Sequence, residues 1–157
     1  MESISPIIIR NAKPEDAPSV FQLIQELAEY ERAPHEVINS PGQMLRDGFP
    51  ETPWFGCLVA EHQGQVVGMA LWYLRYSTWK GVCMYLEDLY VQPVFRRQGT
   101  GKALFLSLKE YAEKKQCRRL VWQVLDWNEP AIRFYEQLGS QFDKGWWNGF
   151  IDLNADA

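Results

Sequence analysis

The sequence has little of the material from which metal centres and nucleophilic triads are built. It contains two histidines, His35 and His62, and three widely spaced cysteines. A zinc site needs several ligands at short spacing, and a Ser-His-Asp triad needs a histidine beside its nucleophile. An odd number of cysteines at wide spacing favours reduced core thiols over a disulfide framework. We therefore expect no metal site and a cytoplasmic protein.

Long apolar runs and excess positive charge are also missing. No stretch is long enough to cross a bilayer, and the amino terminus lacks the basic segment and apolar run of a signal peptide. The formal net charge is −4 at pH 7. Nucleic-acid binding depends on a basic surface that displaces counterions. We expect neither a membrane nor a nucleic-acid partner, and a mild preference for a cationic substrate.

What is present suits a single domain, residues 1–157, because 46% of the residues are hydrophobic and can form a substantial core. Apolar periodicity predicts the element order β-α-α-β-β-β-α-β-α-β. The predicted strands are a buried one at 6–10 and others at 54–61, 65–75, 82–91, 118–125 and 145–153. The predicted helices are one capped by Asp16, a short one at 43–48, one from past Gly101 to about Gln116, and one that is capped by Asn128 and ends at Gly139.

The most informative stretch is residues 85–102, which predicts a strand, a glycine turn and the start of a helix. Gly99 and Gly101 stand where strand gives way to helix. Backbone N–H groups and the positive end of the helix dipole can bind a phosphate there. Arg96, Arg97 and Lys102 add positive charge. An ordinary helix-start turn is the alternative reading of the same residues.

Two familiar glycine motifs do not fit this turn. A P-loop requires glycine where Arg96 stands and Ser or Thr where Ala103 stands. The dinucleotide-binding fingerprint requires a third glycine or small residue where Leu104 stands. The spacing that is present is Arg-x-x-Gly-x-Gly, and it indicates a different kind of phosphate-bearing ligand.

That spacing resembles the acetyl-coenzyme A loop of the GNAT N-acetyltransferases. With the element order and the segment 128–135, the resemblance spans about residues 7–147. Segments 26–31, 76–81, 85–88 and 125–128 are similar to the diamine acetyltransferase family, and most to its thialysine-acetylating branch. The resemblance implies an α/β (α+β) GNAT fold with flanking helices. Its mixed, mostly antiparallel sheet would splay between Leu89 and Val124 to hold acetyl-CoA.

The resemblance also implies site residues and assembly. Tyr135 and Glu87 would be catalytic, and relatives of this kind are commonly homodimers. The cofactor would be held by Leu89, Tyr90, Val91, Arg96, Arg97, Gln98, Gly99, Thr100, Gly101, Lys102, Asn128, Glu129, Pro130, Ala131 and Tyr135. The amine substrate would be held by Tyr30, Glu31, Ser77, Glu87 and Asp88.

The chemistry explains why these groups are needed. A primary amine has a pKa near ~10.4, so only about one molecule in a thousand is unprotonated at neutral pH. Glu87, directly or through water, would accept the proton, and Tyr135 would protonate the leaving thiolate. Adjacent strand residues point to opposite faces unless a bulge intervenes, so at most one of Glu87 and Asp88 should face the substrate.

Each role has a structural alternative. Glu87 could be a rim or ion-pair residue, Tyr135 could pack on the sheet, and residues 29–32 could be a solvated helix end. An aromatic cage for a cation could be formed by tryptophans among Trp79, Trp122, Trp127, Trp146 and Trp147. Most of these five are instead expected to pack in the core or an interface.

The identity of the amine substrate is indicated by two positions of this chain that lack a negative charge. Polyamine-acetylating relatives place an acid at the position of Ser77 and another near Lys144. Their absence favours thialysine or a similar amino-acid side-chain amine, which carries its own carboxylate. Alternatives are a spermidine/spermine acetyltransferase, a non-catalytic acyl-CoA sensor, and a protein acetyltransferase.

Overall fold

The structure, a computed structural model, describes residues 5–153. It contains two units, Met1–Gln123 and Val124–Ala157. The larger unit is built on one five-stranded sheet, and the smaller contains one helix. A single domain spanning 1–157 stays a prediction.

The sheet is mixed and mostly antiparallel, as predicted. Its strands, in spatial and chain order, are β1 (Ile8–Asn11), β2 (Gly56–His62), β3 (Gln65–Ser77), β4 (Gly81–Val91) and β5 (Leu120–Trp122). The first four pair antiparallel, and β5 runs parallel to β4. The sheet is not closed, since β1 and β5 are its edges.

Helices pack on both faces of this sheet. In the larger unit they are α1 (Ala17–Tyr30), α2 (Pro41–Gly48) and α3 (Thr100–Lys114). Met69 and Leu71 of β3 belong to a buried cluster with side chains of α1. Trp72 lies edge-on to Tyr111 of α3, with ring centroids 5.1 Å apart. Because side chains alternate along a strand, α1 and α3 cover opposite faces of the sheet.

Strand β5 lies beside only part of β4. The parallel pairing runs from Met84 to Leu86 of β4. Within the described residues, Leu89 to Val91 have no strand partner on that side, although β3 pairs with them on the other. One edge of this backbone segment is therefore left for another hydrogen-bonding group.

Several predicted details are wrong. The first strand is half exposed rather than buried, with Ile8 at 53% exposure, because it is an edge strand. Asp16 precedes α1 but makes no side-chain cap; its carboxylate accepts from Arg10 at 2.7 Å and from the Lys13 amide at 2.7 Å.

The smaller unit contains α4 (Glu129–Gln137), and residues 140–153 form no strand. The predicted closing strand at 145–153 is therefore absent from the described chain. Trp146 and Trp147 are 69% and 97% exposed, and Trp79 of the larger unit is 82% exposed, so these three do not pack in the core, and interface packing stays a prediction for them.

Across residues 5–153, the helices are all too short or too polar to cross a bilayer.

Candidate active site

A bulge in β4 determines the geometry of the acidic residues. Leu71 of β3 is opposite Asp88, and the next residue, Trp72, is opposite Leu86. Glu87 is therefore an extra residue with no partner in β3. In register, Cys57, Leu71 and Asp88 form one row across three strands. Since Cys57 and Leu71 pack with α1, Asp88 lies on the face that α1 covers.

Glu87 reaches the same face. The hydroxyl of Tyr73 donates to Oε2 of Glu87 at 3.2 Å. Tyr73 and Leu71 are two residues apart in β3, so their side chains share a face. The bulge thus allows both Glu87 and Asp88 to lie on one side of the sheet. The expectation that at most one of them faces the substrate applied to a regular strand.

Glu31 completes a cluster of three carboxylates. It follows the last residue of α1 and is half-buried. Burial, and then the charge of Glu87, raise the pKa of Glu31. Burial, followed by the charges of Glu87 and Glu31, raises the pKa of Asp88 to about 7. Such a site gains by receiving a positive charge, because a cation relieves both the mutual repulsion and the cost of burial.

Two tyrosines form a wall beside the carboxylates. The rings of Tyr73 and Tyr85 are stacked, with centroids 5.2 Å apart. Burial, and then the nearby Glu87, raise the pKa of Tyr73 to about 12, so its hydroxyl stays protonated and donates. Neither tyrosine was predicted as a site residue. Their alternation with Glu87 along paired strands was the signal that could have indicated them.

Arg96 links β4 to α1. Its Nε donates to the carbonyl of Val91 at 2.8 Å. Its guanidinium carbon lies 5.4 Å from the ring centre of Tyr90 and 5.9 Å from that of Tyr30. The hydroxyl of Tyr90 donates to Glu26 at 3.2 Å. Arg96 and Tyr30, predicted for cofactor and substrate respectively, are thus neighbours.

The glycine turn adopts a conformation suited to an anion. Arg97 and Gly99 have φ angles of 63° and 80°. Helix α3 begins at Thr100 with no side-chain cap, and its first helical bond runs from the Ala103 amide to the Gly99 carbonyl at 2.9 Å. The amides of residues 100–102 precede that bond and have no partner within the helix.

Two further features of the turn fit a phosphate-bearing ligand. Thr100 is 3% exposed, and its Oγ1 has no hydrogen-bond partner among the described residues. A Cβ at Gly99 would meet nothing within 4 Å, so the space beside the backbone is unfilled. Gln98 and Lys102 are exposed next to it. The predicted residues from Arg97 to Lys102 are therefore together at one helix start.

Ser77 lies at the end of β3, where its hydroxyl has a local role. Its Oγ accepts from the amides of Trp79 at 3.3 Å and Lys80 at 3.1 Å. These bonds close the turn between β3 and β4. Ser77 shares a face with Tyr73, since the two are four residues apart in one strand.

The smaller unit contains the other predicted residues. Asn128 caps α4, its Oδ1 accepting from the Ala131 amide at 3.4 Å, and Glu129 and Pro130 complete the first turn. Tyr135 is 8% exposed, and its ring lies edge-on to Phe134 at 5.2 Å. The side chain is positioned by a regular capped helix.

Comparison with known proteins is consistent with this geometry. The family profile described as "Acetyltransferase (GNAT) family" matches residues 19–140. A thialysine N-epsilon-acetyltransferase of Bos taurus is 46% identical over 86% of this chain and 84% of its own. A spermidine/spermine N(1)-acetyltransferase-like protein 1 of Homo sapiens is 34% identical over 88% of this chain and 21% of its own.

Solved structures show the same fold. A soil metagenomic aminoglycoside acetyltransferase matches with a TM-score of 0.77, covering 94% of this chain and 97% of its own, at 19% identity. At that identity the likeness concerns the fold alone.

Proposed function

The chain belongs to the GNAT acetyltransferase family, and we propose that this acetyl-CoA-dependent N-acetyltransferase acts on the side-chain amine of a small amino acid such as thialysine. Relatives named for that substrate support the proposal. A diamine such as spermidine is the competing substrate, because another relative is named as a spermidine/spermine acetyltransferase-like protein.

The observation that carries the proposal is the cluster of Glu31, Glu87 and Asp88 at the β4 bulge. An ammonium group that enters this cluster gains from three carboxylates in a partly desolvated place. Deprotonating a primary amine at neutral pH costs roughly 4 kcal/mol, because its pKa is near ~10.4. The cluster therefore both attracts the substrate and offers an acceptor for its proton.

The acceptor belongs to the pair of Glu87 and Asp88. Asp88, with a pKa raised to about 7 by burial and its two acidic neighbours, takes up a proton at neutral pH more readily than an ordinary carboxylate. A base with a pKa near the working pH is the most effective kind. Glu87 accepts from Tyr73 and is the more exposed of the two. We assign Glu87 to bind the ammonium and pass its proton onward, directly or through water.

Acetyl-CoA supplies, when bound, an acetyl thioester open to attack by the unprotonated amine. The turn at Gly99 to Lys102 would hold its pyrophosphate through backbone N–H groups, and Thr100 Oγ1 would gain a partner. The backbone of Leu89 to Val91 would bind its pantetheine, and Asn128 to Ala131 keep the cofactor-binding role that the family resemblance implies. Tyr135 would donate a proton to the leaving thiolate.

The absence of a carboxylate at Ser77, near the β3–β4 turn, favours a short substrate over an extended polyamine. Ser77 is neutral, and its hydroxyl is engaged by the Trp79 and Lys80 amides. An extended polyamine would find no carboxylate at that position. A short substrate with its own carboxylate needs none.

The deciding experiment compares kcat/KM for thialysine and spermidine. We expect a clear preference for thialysine in the wild type. Ser77→Asp should shift the ratio towards spermidine; an aspartate can still accept from the turn amides, so folding should be preserved. A wild type that prefers spermidine would refute the proposed substrate.

Assembly is a separate part of the proposal. We propose a homodimer, and the molar mass in solution, measured by light scattering, is the direct test. A monomeric mass in an active preparation would contradict it.

A further inference from the structure

Arg75 is a cation close to the acidic site that no step above uses. It is exposed on β3, and its guanidinium carbon lies 5.6 Å from the ring centre of Tyr85. Burial, and then Glu87, raise the pKa of both Tyr73 and Tyr85, while Arg75 acts in the opposite direction on each. Its charge therefore lies near both phenols. Within residues 5–153, Arg75 forms no ion pair with a carboxylate.

Arg75 and the carboxylate cluster lie at opposite ends of the tyrosine wall. Tyr73 and Arg75 are two residues apart in β3, so their side chains share a face. The Tyr73 hydroxyl donates to Glu87 at 3.2 Å, and its ring stacks on Tyr85, over which the guanidinium lies. A negative end, an aromatic surface and a positive end thus follow one another along the strands.

We propose that Arg75 binds the carboxylate of an amino-acid substrate whose side-chain ammonium lies against Glu87 and Asp88. This inference rests on the proposed function and adds the residue that selects an amino acid over a diamine. Guanidinium is suited to the role because its planar donors match a carboxylate in pairs.

The dimensions agree with such a substrate. Asp88 is opposite Leu71, which is four residues from Arg75 in β3, so the two ends of the site are about 13 Å apart along the strand. An extended lysine-like side chain separates its terminal nitrogen from its carboxylate carbon by roughly 7 Å, taking bonds of about 1.5 Å at tetrahedral angles. With a hydrogen-bond contact of about 3 Å at each end, one such molecule can therefore span both ends.

The direction along the strand also agrees. Asp88 is opposite Leu71 and adjoins the segment Leu89 to Val91, which has no strand partner on the β5 side within the described residues. Arg75 is opposite Cys83, further from that segment. The amine end of the substrate would thus lie towards the proposed cofactor segment, and the carboxylate end away from it.

Arg75 would also act against the wrong substrate. At that end an amino acid carries a carboxylate beside its α-ammonium group, whereas a diamine carries an ammonium group alone. Like charges at that point disfavour the diamine, so one guanidinium both attracts the correct substrate and repels its competitor.

The test pairs one substitution with two substrates. Arg75→Gln is assayed with thialysine and with its decarboxylated analogue, which keeps the thioether and the reacting amine. We expect kcat/KM for thialysine to fall about 10- to 100-fold, the loss of a hydrogen-bonded ion pair, while the analogue is used equally well or better. Arg75→Lys should retain part of the thialysine activity.

Arg46→Gln is the matched control, because Arg46 is an exposed arginine on α2 bonded to Gln43. It should leave kcat/KM unchanged for both substrates. If Arg75→Gln lowers kcat/KM equally for both substrates, or for neither, the role of Arg75 is wrong while the proposed function stands. If the wild type acetylates only the analogue, both the role of Arg75 and the proposed substrate are wrong. If the wild type acetylates neither compound, the proposed function is wrong as well.

Discussion

The β4 bulge and the glycine turn that follows the strand are close in sequence, but the bulge presents side-chain carboxylates and the turn presents backbone N–H groups. At the bulge, Glu87 and Asp88 present carboxylates beside Glu31, and burial raises the pKa of Asp88 to about 7. At the turn, Gly99 and Thr100 present backbone N–H groups at an uncapped helix start. One place is made for a cation and the other for an anion.

The difference predicts how each place responds to change. Carboxylates in a desolvated cluster titrate, so the bulge should depend on pH and on each side-chain charge. Backbone N–H groups do not titrate, and the dipole of α3 persists whatever the side chains are. The turn should therefore tolerate pH and single side-chain changes better than the bulge. The following predictions test that contrast.

The largest expected effect is on turnover at the bulge. Asp88→Asn and Glu87→Gln each remove a proton acceptor or ammonium ligand without changing size. We expect kcat to fall about 10²–10⁴-fold for the variant that loses the base. Steady-state kinetics with chemistry rate-limiting provide the measurement.

Glu113→Gln is the control, since that carboxylate is exposed on α3 and pairs with Lys109. Acetyl-CoA affinity should be unchanged in all three variants. If both bulge variants turn over like the wild type, the proton acceptor is elsewhere.

The second effect is a pH-dependent stability that the turn should lack. The pKa of Asp88 rises from 3.8 to about 7 on folding, mainly through burial. The folded state therefore binds more protons between these values, so wild-type stability should fall as pH rises from about 4 to 7. Asp88→Asn should be the more stable protein at pH 8 by roughly 1–4 kcal/mol, with little difference below pH 4.

Urea unfolding of both proteins across pH 4–8 measures this difference. Since the pKa of Glu31 is also raised, the Asp88→Asn variant should retain part of the pH dependence of stability. A difference that does not change with pH would show that Asp88 is not desolvated.

The third effect concerns arginine at the turn. Arg96→Glu reverses a charge beside the proposed pyrophosphate site and removes the bond to the Val91 carbonyl. We expect acetyl-CoA affinity to weaken about 10- to 100-fold, as for loss of a charged hydrogen bond. Calorimetric titration measures it, with Arg46→Glu as the control. Unchanged affinity in a folded variant would place the cofactor elsewhere.

The smallest effect isolates one hydroxyl. Thr100→Val removes Oγ1, which is buried without a hydrogen-bond partner in the part of the chain that the structure describes, and keeps the side chain's shape. The free protein should be as stable as the wild type or slightly more so, because no hydrogen bond is lost. Acetyl-CoA should bind several-fold more weakly, since the backbone donors remain. Equal affinity would show that the hydroxyl takes no part, and a stability loss would show that it has a partner within the fold.

Much of the fold was predictable from neighbouring residues. Apolar periodicity predicted the strands and helices of the larger unit, and the Arg96 to Gly101 spacing predicted the helix start that α3 provides. Asn128 was correctly predicted as the cap of α4. These features depend on interactions within a few residues. The predicted strand at 145–153 is wrong because an apolar segment favours burial but does not specify a strand with which to pair.

The acidic site depended on the tertiary structure. Sequence reasoning selected Glu31, Glu87 and Asp88, yet a regular strand would have turned Glu87 and Asp88 to opposite faces. The bulge opposite Leu71 and Trp72 brings them to one side, and it is a property of the β3–β4 register. The pKa of Asp88 follows from burial against other segments of the chain.

Arg75 illustrates the same division. The sequence by itself determined that a basic residue lies on a strand near the turn at Ser77, as well as the family and a helix start close to Gly101. Only the tertiary structure placed the guanidinium over Tyr85, in line with Tyr73 and Glu87. Local patterns follow from backbone geometry over a few residues, whereas charge neighbours and desolvation depend on pairings between residues far apart in the chain.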